Sequence, residues 1–325
     1  MSLTPSKCVV VTGGAGFIGS HLVDRLLAEG EQVLVIDDLS TGSRANLTRA
    51  TANPRFRLLQ AKVSEVADLR GLLAQASSVF HLAAAVGVEL VMRSPIRTIE
   101  TNLGETEAIL AAASECGTPV VLASTSEVYG KSSKSVFSEG DDLLIGPPNL
   151  GRWSYACSKL MDEFLALAYM RERQVPVTIT RFFNTVGPRQ SGAYGMVIPR
   201  FLDSARAGRP IRVYGDGQQT RCFCHVQDTV ESLMRLRQAP ASVGLVVNIG
   251  NDQPVTILEL AEQVLQRTGS SSGIELVPYA EAFGPGFEDM LHRRPDLTVL
   301  ERVTGFRPRR PLEEIIGDLL GPDSP

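Results

Sequence analysis

Ser154-Tyr155-Ala156-Cys157-Ser158-Lys159 places a phenol and an ammonium four residues apart, so on a helix both project from one face. A phenol with a pKa of about 10 is a poor base at neutral pH, and a close positive charge favours its phenolate. Bringing it to about 7 takes roughly 4 kcal/mol, which two cations in a dry cleft can supply. Taken alone, the pair reads equally as a surface tyrosine and lysine. Upstream, the apolar run Pro119–Ala123 ends in Ser124-Thr125-Ser126-Glu127-Val128-Tyr129-Gly130. A strand that ends in hydroxyls is ordinary, but a carboxylate two residues before a tyrosine at the mouth of a sheet calls for a role.

A second constellation is Thr12-Gly13-Gly14-Ala15-Gly16-Phe17-Ile18-Gly19, between an apolar β run and a helical stretch. Glycines at 13, 16 and 19 allow a tight turn, close backbone approach to a pyrophosphate and tight helix–strand packing. The amides at the helix start, including those of Phe17 and Ile18, would then face the phosphates. Asp37 follows at the end of the next apolar run. An acid there accepts the ribose hydroxyls of NAD and repels the extra phosphate of NADP. Glycine loops alone also occur as plain turns, but the strand before, the helix after and the acid together point to NAD.

These groups need a scaffold. Apolar runs at Lys7–Thr12, Gln32–Asp37, Phe56–Ala61, Val79–Leu82 and Val120–Ala123 read as short strands. Helices are expected over Gly16–Glu29, Arg93–Cys116 and Ser154–Arg173. Near-continuous apolar strands alternating with helices imply an α/β fold with a doubly wound, Rossmann-like parallel sheet. From about Asn184, Gly and Pro punctuate the chain, which suggests a smaller mixed α/β lobe. Thr256-Ile257-Leu258-Glu259 is a capping box opening a helix to about Thr268. Gly284–Arg294 reads as loop, and a last short helix follows the basic turn Arg307–Pro311.

Composition narrows the functions. The 325 residues carry a net charge of −4, which disfavours a broad nucleic-acid or membrane surface. The opening shows no signal-peptide pattern, and the apolar run Val79–Val88 is too short to span a bilayer. Five cysteines with no CxxC fit a reduced, cytoplasmic chain. Cys222-Phe223-Cys224-His225 has no second ligand pair, so no metal is expected.

TGGAGFIG, His81-Leu82-Ala83-Ala84, Thr101-Asn102, STSEVYG, YACSK, RFFNTVGPRQ (181–190) and VYGDGQQTR (213–221) stand in one order along nearly the whole chain. In this combination the chain resembles the extended short-chain dehydrogenase/reductases that act on nucleotide sugars. The resemblance implies NAD as cofactor and Thr125, Tyr155 and Lys159 as catalytic hydroxyl, base and orienter. It implies cofactor contacts at Leu82, Ala83, Ala84 and Asn102, beside Gly13, Gly16, Phe17, Ile18, Gly19 and Asp37. Substrate contacts are implied at Ser126, Asn184, Arg189, Val213 and Arg221, the last on the diphosphate. It further implies an NAD-binding domain over 1–183 and a nucleotide-sugar lobe over 184–325, with segments around 221–250 returning to the first domain. A homodimer through the two long helices is also implied. Lys62 departs from the pattern, since relatives carry an adenine-contacting aspartate there.

Glu127 separates the branches. A 4-epimerase needs no extra carboxylate, and a 4,6-dehydratase needs a C5 base. UDP-glucuronate decarboxylases (UDP-xylose synthases) also carry Thr-Ser-Glu, with an arginine near the C-terminus in an R-[KR]-P-D context, matched here by Arg293-Arg294-Pro295-Asp296. The pairing is physically reasonable, because a glutamate beside a uronate carboxylate would be repelled without a cation. The chain is thus expected to convert UDP-glucuronate to UDP-xylose, with UDP-4-keto-xylose as a possible leak. Arg293 on a surface salt bridge, a 4-epimerase, a 4,6-dehydratase and a catalytically dead NAD sensor remain the alternatives.

Overall fold

The computed structural model describes residues 7–86, 94–190, 196–283 and 290–321. Six strands, β1 (Cys8–Thr12), β2 (Val33–Ile36), β3 (Phe56–Leu59), β4 (Ala76–His81), β5 (Val120–Thr125) and β6 (Val177–Phe182), join Val246–Ile249 in one sheet. The order is β3-β2-β1-β4-β5-β6 and then Val246–Ile249, and every pairing is parallel. Consecutive strands run outward from β1 in one direction and from β4 in the other. The chain therefore reverses between β1 and β4 and opens a crevice at their carboxyl ends.

Both faces of the sheet are covered, as the apolar runs require. Val9 and Val11 of β1 pack with Leu22 and Leu26 of the first helix, α1 (Phe17–Ala28), and with Val230 and Leu233 of the Val226–Gln238 helix. Val10 points the other way, into a core with Ile109, Leu110 and Ala166 from the helices Pro95–Cys116 and Trp153–Arg173. The smaller lobe has its own core, built on Ile198, Phe201, Ile211, Ile257, Leu260 and Ile315. There Ile211–Tyr214 pairs with Ile274–Val277, and the Thr256 capping box closes on Glu259 to start the helix Ile257–Thr268.

Five strands follow from their apolar runs, whereas β6 and Val246–Ile249 are not apparent in sequence. β6 alternates valine or isoleucine with threonine, which reads as half-exposed. Here both faces are buried, because Thr180 donates to the Leu122 carbonyl (3.0 Å) and Thr178 meets the Ser242 hydroxyl (2.9 Å). Residues 226–249 lie against the sheet domain through that helix and strand. Part of the expected Gly284–Arg294 loop, residues 284–289, lies outside the described residues. So do Gly87 and Val88 of the apolar run and Arg93 at the expected start of the first long helix. Among the described residues no helix is long and apolar enough to cross a membrane.

A buried ion pair locks the helix that carries Tyr155 to the sheet. Arg181 of β6 makes two bonds to Glu163, Nε–Oε1 at 3.0 Å and Nη2–Oε2 at 2.7 Å, and Ser124 of β5 donates to the same carboxylate. The Arg181 guanidinium also covers the Tyr129 ring at 4.8 Å. Removing one partner strands a charge in the core. Arg181→Met is therefore expected to lower unfolding free energy by about 3–5 kcal/mol in urea titrations, whereas a surface-type loss would be below ~1 kcal/mol.

Candidate active site

A cavity of about 1720 Å³ runs along the crevice and into the second lobe. One end is the glycine loop. Gly13 has φ +69°, and a Cβ there would lie 2.7 Å from the Ala83 amide nitrogen; a Cβ on Gly19 would collide with the Gly13 carbonyl. No side chain caps α1, so its first-turn amides at Phe17 and Ile18 border the cavity unobstructed. Asp37 borders it too, braced by the amides of Ala15 and Leu39 (both 2.8 Å). Burial raises its carboxyl pKa and those two amides oppose the rise. A bare-backbone cradle, a free helix N-terminus and a braced acid fit a dinucleotide. Farther along, Glu105 accepts from the Val63 amide (2.6 Å) and the Ser64 hydroxyl (2.6 Å), fixing the loop after β3 that carries Lys62.

The other end holds the reactive groups. Thr125 closes β5, and Tyr155 and Lys159 lie on the Trp153–Arg173 helix; all three line the cavity. Burial and the nearby Glu127 carboxylate raise the Tyr155 pKa, while a hydrogen bond with Thr125 and the charge of Arg293 oppose them. The phenol therefore keeps its proton at neutral pH in this state. Lys159 is buried, with Nζ 2.7 Å from Asp162 Oδ2.

Glu127 is the electrostatic centre of this end. Arg293 Nη1 lies 2.8 Å from its Oε1, and Arg152 Nη2 lies 3.4 Å from its Oε2. Burial pushes the carboxyl pKa up, but Arg293, Arg152 and Arg221 together hold it below the ordinary glutamate value. Arg293 also donates to the Ser126 hydroxyl (2.7 Å). Its segment is docked by a β-bridge: Phe137 N–H donates to the Arg294 carbonyl, and Asp296 N–H to the Phe137 carbonyl, both at 2.8 Å. Buried Asn248 clasps the junction, donating to the carbonyls of Phe137 (3.0 Å) and Asp296 (3.3 Å) and accepting from the Tyr129 hydroxyl (2.8 Å).

Not every expected contact residue faces the cavity. Leu82, Ala83, Ala84, Asn184, Arg189 and Arg221 line it, with Arg189 at φ 68° and paired to Asp24 (2.7 Å). Val213, expected at the substrate, is fully buried in the second lobe's core, because strand alternation turns it inward and presents Tyr214 instead. Asn102, expected at the cofactor, is buried behind the wall; it accepts from the Ala85 amide (2.8 Å) and donates to Ser158 (3.1 Å), so it braces the loop after β4. Ser126 is likewise buried and touches Arg293 rather than the cavity. Cys222 and Cys224 are buried thiols, pushed up to about 12 by that burial. Arg152 is not singled out in sequence, although it sits three residues before Tyr155, one helical turn away.

Residues 9–250 match the NAD dependent epimerase/dehydratase family. The chain is 41% identical over 303 residues to the UDP-N-acetyl-alpha-D-glucosaminuronate decarboxylase of Bacillus cytotoxicus, covering 93% of each. It is 38% identical over 307 residues to UDP-glucuronic acid decarboxylase 2 of Arabidopsis thaliana, covering 94% of this chain and 66% of that protein. Among solved structures, the UDP-glucuronic acid 4-epimerase of Bacillus cereus, in complex with UDP-glucuronic acid and NAD, superposes with a TM-score of 0.84 at 27% identity over 95% of this chain and 96% of that one. Fold and glycine cradle define a Rossmann-type, NAD-binding class. The chain belongs to the NAD dependent epimerase/dehydratase family, an extended short-chain dehydrogenase/reductase group, and its cofactor is NAD.

Asp37 should set the cofactor choice. NAD is expected to bind roughly tenfold or more tightly than NADP in fluorescence titrations, a difference of about 1.4 kcal/mol or more. Asp37→Asn should narrow that ratio mainly by improving NADP; an unchanged ratio would remove Asp37 from this role.

Proposed function

We propose that this protein is an NAD-dependent UDP-uronate decarboxylase that converts UDP-glucuronate to UDP-xylose. The observation that carries the reading is the cluster around Glu127, where Arg293 and Arg152 converge on one carboxylate beside Tyr155. Two guanidiniums gathered on this wall suit a substrate that carries a C6 carboxylate. The decarboxylase names of the relatives described above support the same chemistry.

The steps follow from the placement of the side chains. NAD, when bound, supplies the hydride acceptor at C4 and later returns the hydride. Tyr155, as phenolate, takes the proton from the C4 hydroxyl, and Thr125 shares that hydrogen bond. Arg293 and Arg152 hold the C6 carboxylate, while Glu127 keeps both arginines and the sugar hydroxyls in register. Oxidation at C4 makes the sugar a β-keto acid, so the C5–C6 bonding electrons flow into the new carbonyl as CO2 departs. The enolate is protonated at C5, and Tyr155 returns its proton to the C4 oxygen as hydride comes back. The cofactor is thereby regenerated in place.

A second substrate, UDP-N-acetylglucosaminuronate, is favoured by the 41% identity to the bacterial enzyme of that name. It differs only at C2 and would use the same carboxylate site. Incubation with NAD and a panel of nucleotide sugars, followed by mass spectrometry and CO2 capture, separates the two and also detects a 4-epimerase. Arg293→Ala and Arg152→Ala should each lower CO2 release from the preferred UDP-uronate, by on the order of a hundredfold for Arg293, with UDP binding nearly unchanged. Arg293→Lys should rescue only partly, since an ammonium lacks the two-pronged fork. Release of no CO2 by the parent protein would overturn the decarboxylase reading.

A homodimer belongs to the same reading. Ile96 and Ile99 on the Pro95–Cys116 helix, with Met161 and Phe164 on the adjacent Trp153–Arg173 helix, leave large apolar side chains at the surface, Phe164 being 59% exposed. Such a face suits a second copy of the chain. Phe164→Glu is expected to shift sedimentation from dimer to monomer; a parent that sediments as a monomer would refute the dimer. A cytoplasmic setting suits the five free thiols.

A further inference from the structure

Behind Tyr155 and Lys159 lies a set of buried polar groups that none of the steps above uses. Asp162 has no solvent exposure, and its Oδ2 lies 2.7 Å from Lys159 Nζ on the same helix. Burial raises the Asp162 carboxyl pKa, and Lys159 and then the Thr106 hydroxyl oppose the rise; its Oδ1 makes no full hydrogen bond. Thr106 in turn meets His81 Nε2 (3.2 Å), and His81 Nδ1 meets the Thr12 hydroxyl (2.8 Å), which accepts from the Ala83 amide (3.2 Å). Burial drives the His81 pKa down to about 3, so the imidazole is neutral and has one N–H to give. A single direction satisfies every donor: Ala83 N–H to Thr12, Thr12 O–H to His81 Nδ1, His81 Nε2–H to Thr106, and the Thr106 proton toward Asp162. The chain begins at the cofactor wall and converges on one carboxylate.

We propose that Asp162 is a positioning residue that sets how strongly Lys159 acts on Tyr155. An ammonium 2.7 Å from a carboxylate presents a dipole to its surroundings rather than a full charge, so its pull on a phenol across the helix face is weakened. The groups that act on Tyr155 from the packed elements are Glu127, Arg293 and the Thr125 hydroxyl, with Asp162 from its own helix, while Lys159, one turn on, lines the same cavity wall. Asp162 itself faces Lys159, Thr106 and Glu163. Damping the lysine leaves the phenol protonated until the positive charge of oxidised cofactor arrives. Proton removal from the sugar is thus tied to the presence of NAD in its oxidised form. This inference rests on Tyr155 being the base.

The test is the pH dependence of kcat/KM for UDP-uronate turnover in parent and variants. Asp162→Asn keeps the shape but removes the charge, so it should move the acid limb to lower pH by about one unit, a tenfold change in proton activity. Asp162→Glu, which restores a carboxylate, should return the limb toward its parental position. KM for the sugar nucleotide should change little, because Asp162 does not reach the cavity. If Asp162→Asn fails to fold, Thr106→Val withdraws the hydroxyl that favours the ionised carboxylate and should give a smaller shift in the same direction. A limb that stays in place while the rate falls evenly, or one that moves to higher pH, overturns the proposal. Tyr155→Phe separates the two readings: residual NADH formation at a comparable rate removes Tyr155 as the base, whereas an inactive Tyr155→Phe with an unmoved limb in Asp162→Asn removes only the role given to Asp162.

Discussion

A carboxylate held beside a phenol makes its proton harder to remove, and the placement of Glu127 beside Tyr155 makes that the central constraint of this molecule. Burial alone would leave Glu127 neutral or Tyr155 permanently protonated. Three arginines prevent the first outcome, and they come from the start of the Trp153–Arg173 helix, from the strand Thr220–Cys222 and from the segment at Arg293. Two of the three belong to the second half of the chain. The Glu127 end of the cavity is therefore complete only when the strand Thr220–Cys222 and the segment at Arg293 are both packed in place. The β-bridge at Phe137 and the clasp of Asn248 exist at that junction, where a shift of an ångström would part Arg293 from Glu127.

Charge is divided along the cavity. At the glycine-loop end Asp37 is braced by two backbone amides. At the sugar end cations outnumber the one glutamate among the close partners. Behind the wall, burial keeps His81 uncharged. Each ligand class thus meets the sign it needs, and the field at Tyr155 is set by what is bound as much as by the protein. Deeper in, Arg181 and Glu163 are fully paired and hold the helix bearing Tyr155 in a fixed position on β5 and β6. That rigidity lets small electrostatic differences at the cavity wall translate into proton affinity.

Local spacing carries a great deal. The glycines of the first turn, Asp37, the Tyr155/Lys159 pair and the Thr256 capping box act over one to four residues or at one strand end, so backbone geometry alone dictates their relations. The parallel sheet follows from apolar runs that leave no polar face. Arg152 was within reach of the same logic, being one turn before Tyr155. β6 was not, because its threonines look exposed until the carbonyl and hydroxyl that satisfy them are in place.

Tertiary packing decided the remainder. Which side of a strand or helix meets the cavity depends on the neighbour that covers the other side. For that reason Val213 turned out to be core, Asn102 and Ser126 act behind the wall, and Asp162 became the partner of Lys159. The meeting of Arg293 with Glu127 spans 166 positions and depends on the bridge to Phe137 and the bonds of Asn248 that dock its segment. Types and near spacings in the sequence determined the fold class and the cofactor. Only the three-dimensional structure decided which charges share a buried space, since Coulomb energies depend on distances and desolvation that chain order does not contain.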